Sequence, residues 1–346
     1  MTTLIISQNY DKSIRYVSHI EVAIMIAILM LIGSTDLIAQ YNPTDRKLHL
    51  QRDSVLTIFS GQRPLLQYNF NIVDPPPAVD DRFKRSGFVH PIYTMAGSRL
   101  TQIHPKDHYH HFGVWNPWTQ TIFEGDTVDF WNLAKNQGTV RFSGFLDVLS
   151  NDDTVQYRVK HEHVVFKKDR REVVALNEVQ TVRVYCPDMY KNYYLVDIDI
   201  ELTCGTSQPI KLLKYRYGGL GWRATEFWDA ENSNLLTSEG HTRDNADGTR
   251  GRWCIVQGEL PDTRYGGMAI LTHKSNFNYP EPIRTWDSRA NGGVNNVFVN
   301  ISPTKDRVWE LLPEHIYLQR YRLIVFDGPI DRNQVEELWY RFVTNN

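Results

Sequence analysis

The residues of this chain best suited to chemistry gather in one run, His104-Pro105-Lys106-Asp107-His108-Tyr109-His110-His111-Phe112-Gly113-Val114-Trp115. Four of the 12 histidines fall there, with Asp107 among them. Imidazole changes charge near neutral pH and, when neutral, ligates metals. Two chemical uses are therefore open. Asp107 could orient one histidine that works as general base or acid, as carboxylates do for imidazole. Alternatively His108, His110 and His111 could offer nitrogens to a divalent metal, with Asp107 as a further ligand. A third reading is structural, a polar loop capping a sheet. Pro105 and the Phe112-Gly113 exit put the run on a loop entering a strand, where a rigid scaffold usually carries its sites.

A second constellation is Tyr217-Gly218-Gly219-Leu220-Gly221-Trp222-Arg223. Its glycines allow a sharp turn or a close backbone approach, but it lacks the spacing of a phosphate-cradling loop. Arg223 suits an anionic group on a substrate or a structural ion pair. His104, Asp107, His108, His110, His111 and Arg223 are thus the catalytic candidates. Trp115, Tyr217 and Trp222 are candidate substrate contacts, Glu226 a candidate acid contact, and His273 and Asn276 loop-borne polar contacts. Asp129-Phe130-Trp131 adds an acid beside two aromatics. No pair of carboxylates with the spacing of a glycosidase stands out. No cofactor is expected, the divalent metal being the alternative.

Strands must position these residues. Val55–Phe59, Gly138–Leu149, Thr154–Phe166, Glu172–Tyr185, Tyr194–Leu202, Trp253–Gln257, Tyr265–Thr272 and Tyr317–Phe326 carry β-branched and aromatic residues between turn signals. In Val196–Leu202 the period of two is unbroken, which predicts a buried face and a solvated face bearing Asp197, Asp199 and Glu201. One helix is expected at the end, capped by Asp331 with Gln334 completing a capping box and Ile330 stapled to Val335. Val335, Leu338, Trp339 and Phe342 form its apolar stripe. Three loops exceed what a sheet connection needs: the histidine loop up to Phe130, Gly218–Arg252, and His273–Asn296. The expected fold is all-β, a large antiparallel sandwich with one C-terminal helix, in a single domain over 40–346.

Residues 1–39 read as an export signal: Lys12 and Arg15 precede the apolar run Val22–Ile32, and Ala39 is a plausible cleavage point. That places the protein in the periplasm or outside the cell, with no membrane partner beyond the signal. The net charge of −2 with no basic run argues against nucleic acid. Aromatic residues at 12% suit sugar platforms as well as a β core. Cys186, Cys204 and Cys254 form no C-x-x-C pair, so a redox motif and a zinc ribbon are excluded.

His90-Pro91-Ile92-Tyr93, Asp107-His108-Tyr109-His110-His111-Phe112-Gly113-Val114, Asp129-Phe130-Trp131, Gly218 to Arg223, Arg252-Trp253, Tyr321-Arg322 and Asp327-Gly328 occur in an order that resembles the DUF6807 family of bacterial secreted proteins, over about residues 85–330. Asp-His-x-His-His is its most specific element. Members often carry the label methane oxygenase, which implies a multi-spanning membrane copper subunit; one apolar leader does not fit it. The resemblance implies a galactose-mutarotase-like sandwich from a Gram-negative bacterium and a role in carbohydrate processing: hydrolysis, elimination or epimerisation of an oligo- or polysaccharide. Typical members have Leu where this chain has Ile92 and Val114, and Arg where it has Phe112. A non-catalytic glycan-binding sandwich and a metal-dependent hydrolase or oxygenase are the alternatives.

Overall fold

The computed structural model describes residues 47–188 and 190–344. The expected export signal lies outside them. Alternating side chains build two eight-stranded sheets in which every pairing is antiparallel. The first runs, edge to edge, Leu48–Arg52, Leu56–Ser60, Arg63–Asn69, Phe88–Ile92, Val114–Trp115, Gly221–Arg223, Phe298–Ile301 and Ile283–Thr285. The second runs Ser233–Thr237, Trp253–Leu260, Arg264–Thr272, Tyr317–Asp327, Tyr193–Cys204, Glu172–Tyr185, Thr154–Phe166 and Gly138–Ser150. A four-stranded sheet of short strands includes Thr121–Phe123 and Ile210–Leu212. The fold is the all-β sandwich expected, with the long strands within a few residues of their expected bounds.

The core lies where the inward faces meet. Leu56, Ile58, Leu66, Val114 and Val299 of the first sheet pack into one cluster with Val155, Val159, Val182, Ile198 and Leu323 of the second. Strand parity sends the neighbours of these residues outward, so each sheet has a second, outer layer. On the second sheet, Trp253, Ile255, Ala269, Leu271, Ile324 and Phe326 receive the helix Arg332–Thr344 through Val335, Leu338, Phe342 and Val343. Burying each such side chain contributes about 1.5–3 kcal/mol. The expected capping box is present: Asp331 Oδ1 accepts from the Gln334 amide at 2.9 Å while Gln334 Oε1 accepts from the Asp331 amide at 3.0 Å. Among the described residues no helix is long and apolar enough to cross a membrane.

The carboxylate face of Tyr193–Cys204 needs a correction. Asp197 is buried, not solvated, and receives two hydrogen bonds from Arg322 at 2.6 and 2.8 Å. The Arg322 guanidinium in turn lies 4.8 Å from the Phe342 ring. A strand's alternation says which side chains share a face, and the helix packed on that face is invisible to it.

Candidate functional site

On the first sheet the outer layer is aromatic. Val114 points into the core, and Trp115, one residue on, joins Phe88, Phe112, Trp131, Leu133, Trp286 and Phe298. The histidine loop lies on this floor. Ile103 and Phe112 pair across its neck, and the His104 amide donates to the His111 carbonyl at 3.0 Å. Two turns follow inside it, closed by His108 N–H to Pro105 C=O at 2.9 Å and His111 N–H to His108 C=O at 3.0 Å. The exit requires Gly113: its φ is +59°, and a Cβ there would come within 2.4 Å of the Val89 carbonyl oxygen.

This winding gathers His108, His110 and His111. Ring centroids lie 5.4 Å apart for His108–His110, 4.8 Å for His108–His111 and 4.9 Å for His110–His111. His111 stacks on Phe298 at 5.0 Å, and His108 meets Trp286 at 4.9 Å. All three histidines line a cavity of about 190 Å³ whose other walls are Thr119, Asp129, Trp131, Asn132, Tyr215, Arg216 and Tyr217. His104 is absent from that lining. Its Nε2 lies 3.0 Å from the Phe83 carbonyl oxygen, and its ring meets Phe112 edge-on. It ties the loop to the turn Asp81–Phe83.

Asp107 and Arg223 stand behind the histidines. The Arg223 Nη2 donates to both Asp107 oxygens at 3.0 Å and to the Asn295 carbonyl at 2.8 Å, while its guanidinium lies over the Trp286 ring at 4.7 Å. Its side chain is 0% exposed, so its charge is spent on Asp107. The second Asp107 contact is His108 Nδ1 at 2.8 Å. Burial pushes the Asp107 carboxyl up, but the His108 hydrogen bond and the Arg223 charge outweigh it and leave it below the usual carboxylate range. An ionised carboxylate only accepts, so His108 donates through Nδ1–H and keeps Nε2 as its proton-accepting nitrogen.

The other two rings are held neutral. Burial, then the neighbouring His108, brings His110 down to about 4. Burial first, and His110 and Arg223 next, put His111 well below the usual histidine value. Among the described residues no three His, Cys, Asp or Glu side chains converge on a point that could hold a metal ion.

The remaining sequence candidates are dispersed. Tyr217 walls the cavity, and its hydroxyl receives a hydrogen bond from Arg284 at 3.2 Å. Trp115 is buried in the floor beneath His111, at 5.2 Å. Trp222 points the other way, into the core between the sheets, with its indole N–H on the Leu100 carbonyl at 2.9 Å. Glu226 pairs with Arg99, away from the cavity lining. His273 packs against Phe342 of the terminal helix, and Asn276 is buried on Glu281 and the Arg320 backbone. The cavity therefore draws on the histidine loop and on Tyr217, and not on the 273–276 turn.

Sequence reasoning did not single out Tyr215, Arg216, Thr119, Asn132 and Trp286. Tyr215 and Arg216 directly precede the glycine turn, which was the available signal; Trp286 arrives from the third long loop. Also missed was an interior set. Glu178, 0% exposed, accepts from His161, His163, Asn116 and Gln180 at 2.9, 2.9, 2.9 and 2.6 Å. Tyr68 completes it at 2.6 Å from His161 Nε2. Its signal was two histidines on the apolar face of Thr154–Phe166, which demand a polar partner on the neighbouring strand; Glu178 is the cross-strand partner of His161.

Among solved structures, the chain is similar to the heparan sulfate lyase HepC from Pedobacter heparinus, with 9% identity and a TM-score of 0.36 over 90% of this chain and 42% of that one. It is also similar to another polysaccharide lyase, with 10% identity and a TM-score of 0.33 over 85% of this chain and 34% of that one. It spans less than half the length of either. No curated protein matches the sequence. A family model matches residues 56–340, which include the second sheet, all of the first but its edge strand Leu48–Arg52, the histidine loop and every wall of the cavity, and the chain belongs to that family of unknown function, DUF6807.

Proposed function

We propose that the histidine cavity is the active site of a carbohydrate-processing enzyme in which His108 moves the proton. The observation that carries this reading is the chain of contacts from Arg223 to Asp107 to His108, ending on a ring that lines a cavity. Asp107 holds the Nδ1–H tautomer and balances the charge that develops when Nε2 takes a proton, and Arg223 holds Asp107. Sugar is the class of substrate that suits the walls. Trp131, Tyr215 and Tyr217 offer ring faces, while Thr119, Asn132 and neutral His110 offer hydrogen bonds. Hydrolysis, elimination and epimerisation each need a proton removed from, or returned to, a sugar oxygen or carbon. The work is done in the periplasm or outside the cell, a placement that rests on the leader over 1–39.

The test is to incubate the protein from Gln40 onward with a panel of plant and algal oligosaccharides, with and without EDTA, and to read products by mass spectrometry. The proposal expects a product that EDTA leaves unchanged and that His108→Ala abolishes. A product lost in EDTA would move the histidines to metal ligation. A non-catalytic glycan-binding sandwich is the second reading, favoured by the neutrality of His110 and His111, which suits hydroxyl contacts. It predicts that His110→Ala weakens sugar affinity and that no sugar is turned over.

A further inference from the structure

Beside the histidine cavity the surface is basic, although the chain as a whole carries a net charge of −2. The segment 131–136 is the common wall. Trp131 and Asn132 face the histidine cavity, while Leu133 and Asn136 line a second cavity of about 340 Å³. A third, of about 480 Å³, adjoins the second, because Asn136 and Phe166 line both. The second holds Arg82, Lys84, Arg85 and Arg141 against Asp81 and Glu172. The third holds Lys167, Lys168 and Arg170 against Asp126.

Some of these cations are already matched: Arg82 pairs with Asp80, Arg141 with Glu162 and Glu172, and Lys167 with Glu124. Among the described residues, no carboxylate pairs with Lys84, Lys168 or Arg170, all exposed, nor with Arg216 at the histidine cavity. Beneath Lys84, the Arg85 guanidinium is buried with none of its three nitrogens hydrogen-bonded. The carboxylate opposite it, Glu178, is already occupied by two histidines and two amides. Unmatched positive charge therefore runs from Arg216 past the shared wall to Arg170, and the mainly apolar walls of the second cavity concentrate its field.

We propose that this groove binds an anionic glycan, whose carboxylate or sulfate groups sit on Lys84, Lys168, Arg170 and Arg216 while one sugar occupies the histidine cavity. This inference rests on the reading of that cavity as the sugar site and gives the substrate its charge. Two adjoining cavities rich in cations, separated by the segment 131–136 from a small aromatic one, fit a polymer bearing an anion on successive units. A neutral sugar would leave those four cations unanswered.

The test titrates the protein from Gln40 onward with polygalacturonate, dextran sulfate, neutral dextran and a single-stranded DNA oligonucleotide, at low and high salt. The expected result is binding to at least one anionic glycan that weakens about tenfold or more on raising salt, with dextran unbound; the tighter of the two names carboxylate or sulfate as the recognised group. The triple variant Lys84→Gln, Lys168→Gln, Arg170→Gln should lose about tenfold or more in affinity, and the charge-keeping variant Lys84→Arg, Lys168→Arg, Arg170→Lys should retain it. Dextran bound as well as the anionic polymers, a triple variant that binds like the wild type, or DNA bound more tightly than either glycan would each overturn the proposal. The two readings fail separately. Turnover of a neutral sugar that depends on His108 would remove the groove's role and keep the active site. Salt-sensitive glycan binding with no product would keep the groove and remove the enzyme.

Discussion

Among the described residues two clusters of histidines gather at a carboxylate, and their surroundings set them apart. Between the sheets, His161 and His163 share Glu178, and their side chains are 1%, 0% and 1% exposed. On the outer face of the first sheet, His108 pairs with Asp107, and these are 36% and 15% exposed. The inner carboxylate has four donors and no route to a substrate. The outer one has an arginine behind it and a cavity in front. A carboxylate–imidazole pair is thus equally able to brace a core or to move a proton, and access decides which.

The difference can be broken from the outside first. Asp107→Asn removes the group that selects the His108 tautomer, so turnover should fall about 10²–10⁴-fold. Because Arg223 then keeps a buried charge with no counter-ion, the unfolding midpoint should fall as well, by a free energy of about 3–5 kcal/mol. A rate within twofold of wild type would separate Asp107 from the chemistry. Inside, Glu178→Ala should cost stability alone, about 3–5 kcal/mol in denaturant unfolding, since it strands two histidines and two amides in the core. Any residual folded protein should turn over substrate at the normal rate. Gly113→Ala comes next: strain at positive φ and the clash with the Val89 carbonyl should cost about 1–3 kcal/mol and displace the histidine loop that Gly113 ends.

The smallest effect expected is one of pH. Unfolded His110 takes its proton near its ordinary value of 6.5, and the folded protein takes it only near 4. Between those values the unfolded chain holds the extra proton, so stability should decline as pH falls from 6.5 towards 4. His110→Gln should flatten that slope in melts at successive pH values. An unchanged slope would assign the acid sensitivity to other histidines, such as half-buried His90, which desolvation brings down to about 3.

Much of this was legible in the chain itself. Alternation located the long strands because each has one buried face, and Asp331 with Gln334 marked the helix start because capping is local. The dense histidine run identified three cavity residues for the same reason. What joined them was not local. Tyr215 and Arg216 reach the cavity, and Trp286 reaches the His108 and His111 rings, from segments more than a hundred residues away in sequence, and no spacing rule encodes that. Trp222 shows the limit within one motif. It sits beside Arg223 on a strand, and parity alone sends it to the core while Arg223 turns to Asp107. Asp197 misled because the covering helix comes from the far end of the chain.

The central claim is that His108 works while His161 braces. The most direct measurement sets His108→Ala and His161→Ala side by side, recording product formation on the oligosaccharide panel and the thermal midpoint of each. The account predicts that His108→Ala loses about 10²-fold or more in rate with its midpoint near wild type, while His161→Ala loses stability and keeps its rate per folded molecule. A His108→Ala protein that turns over substrate at the wild-type rate would contradict it.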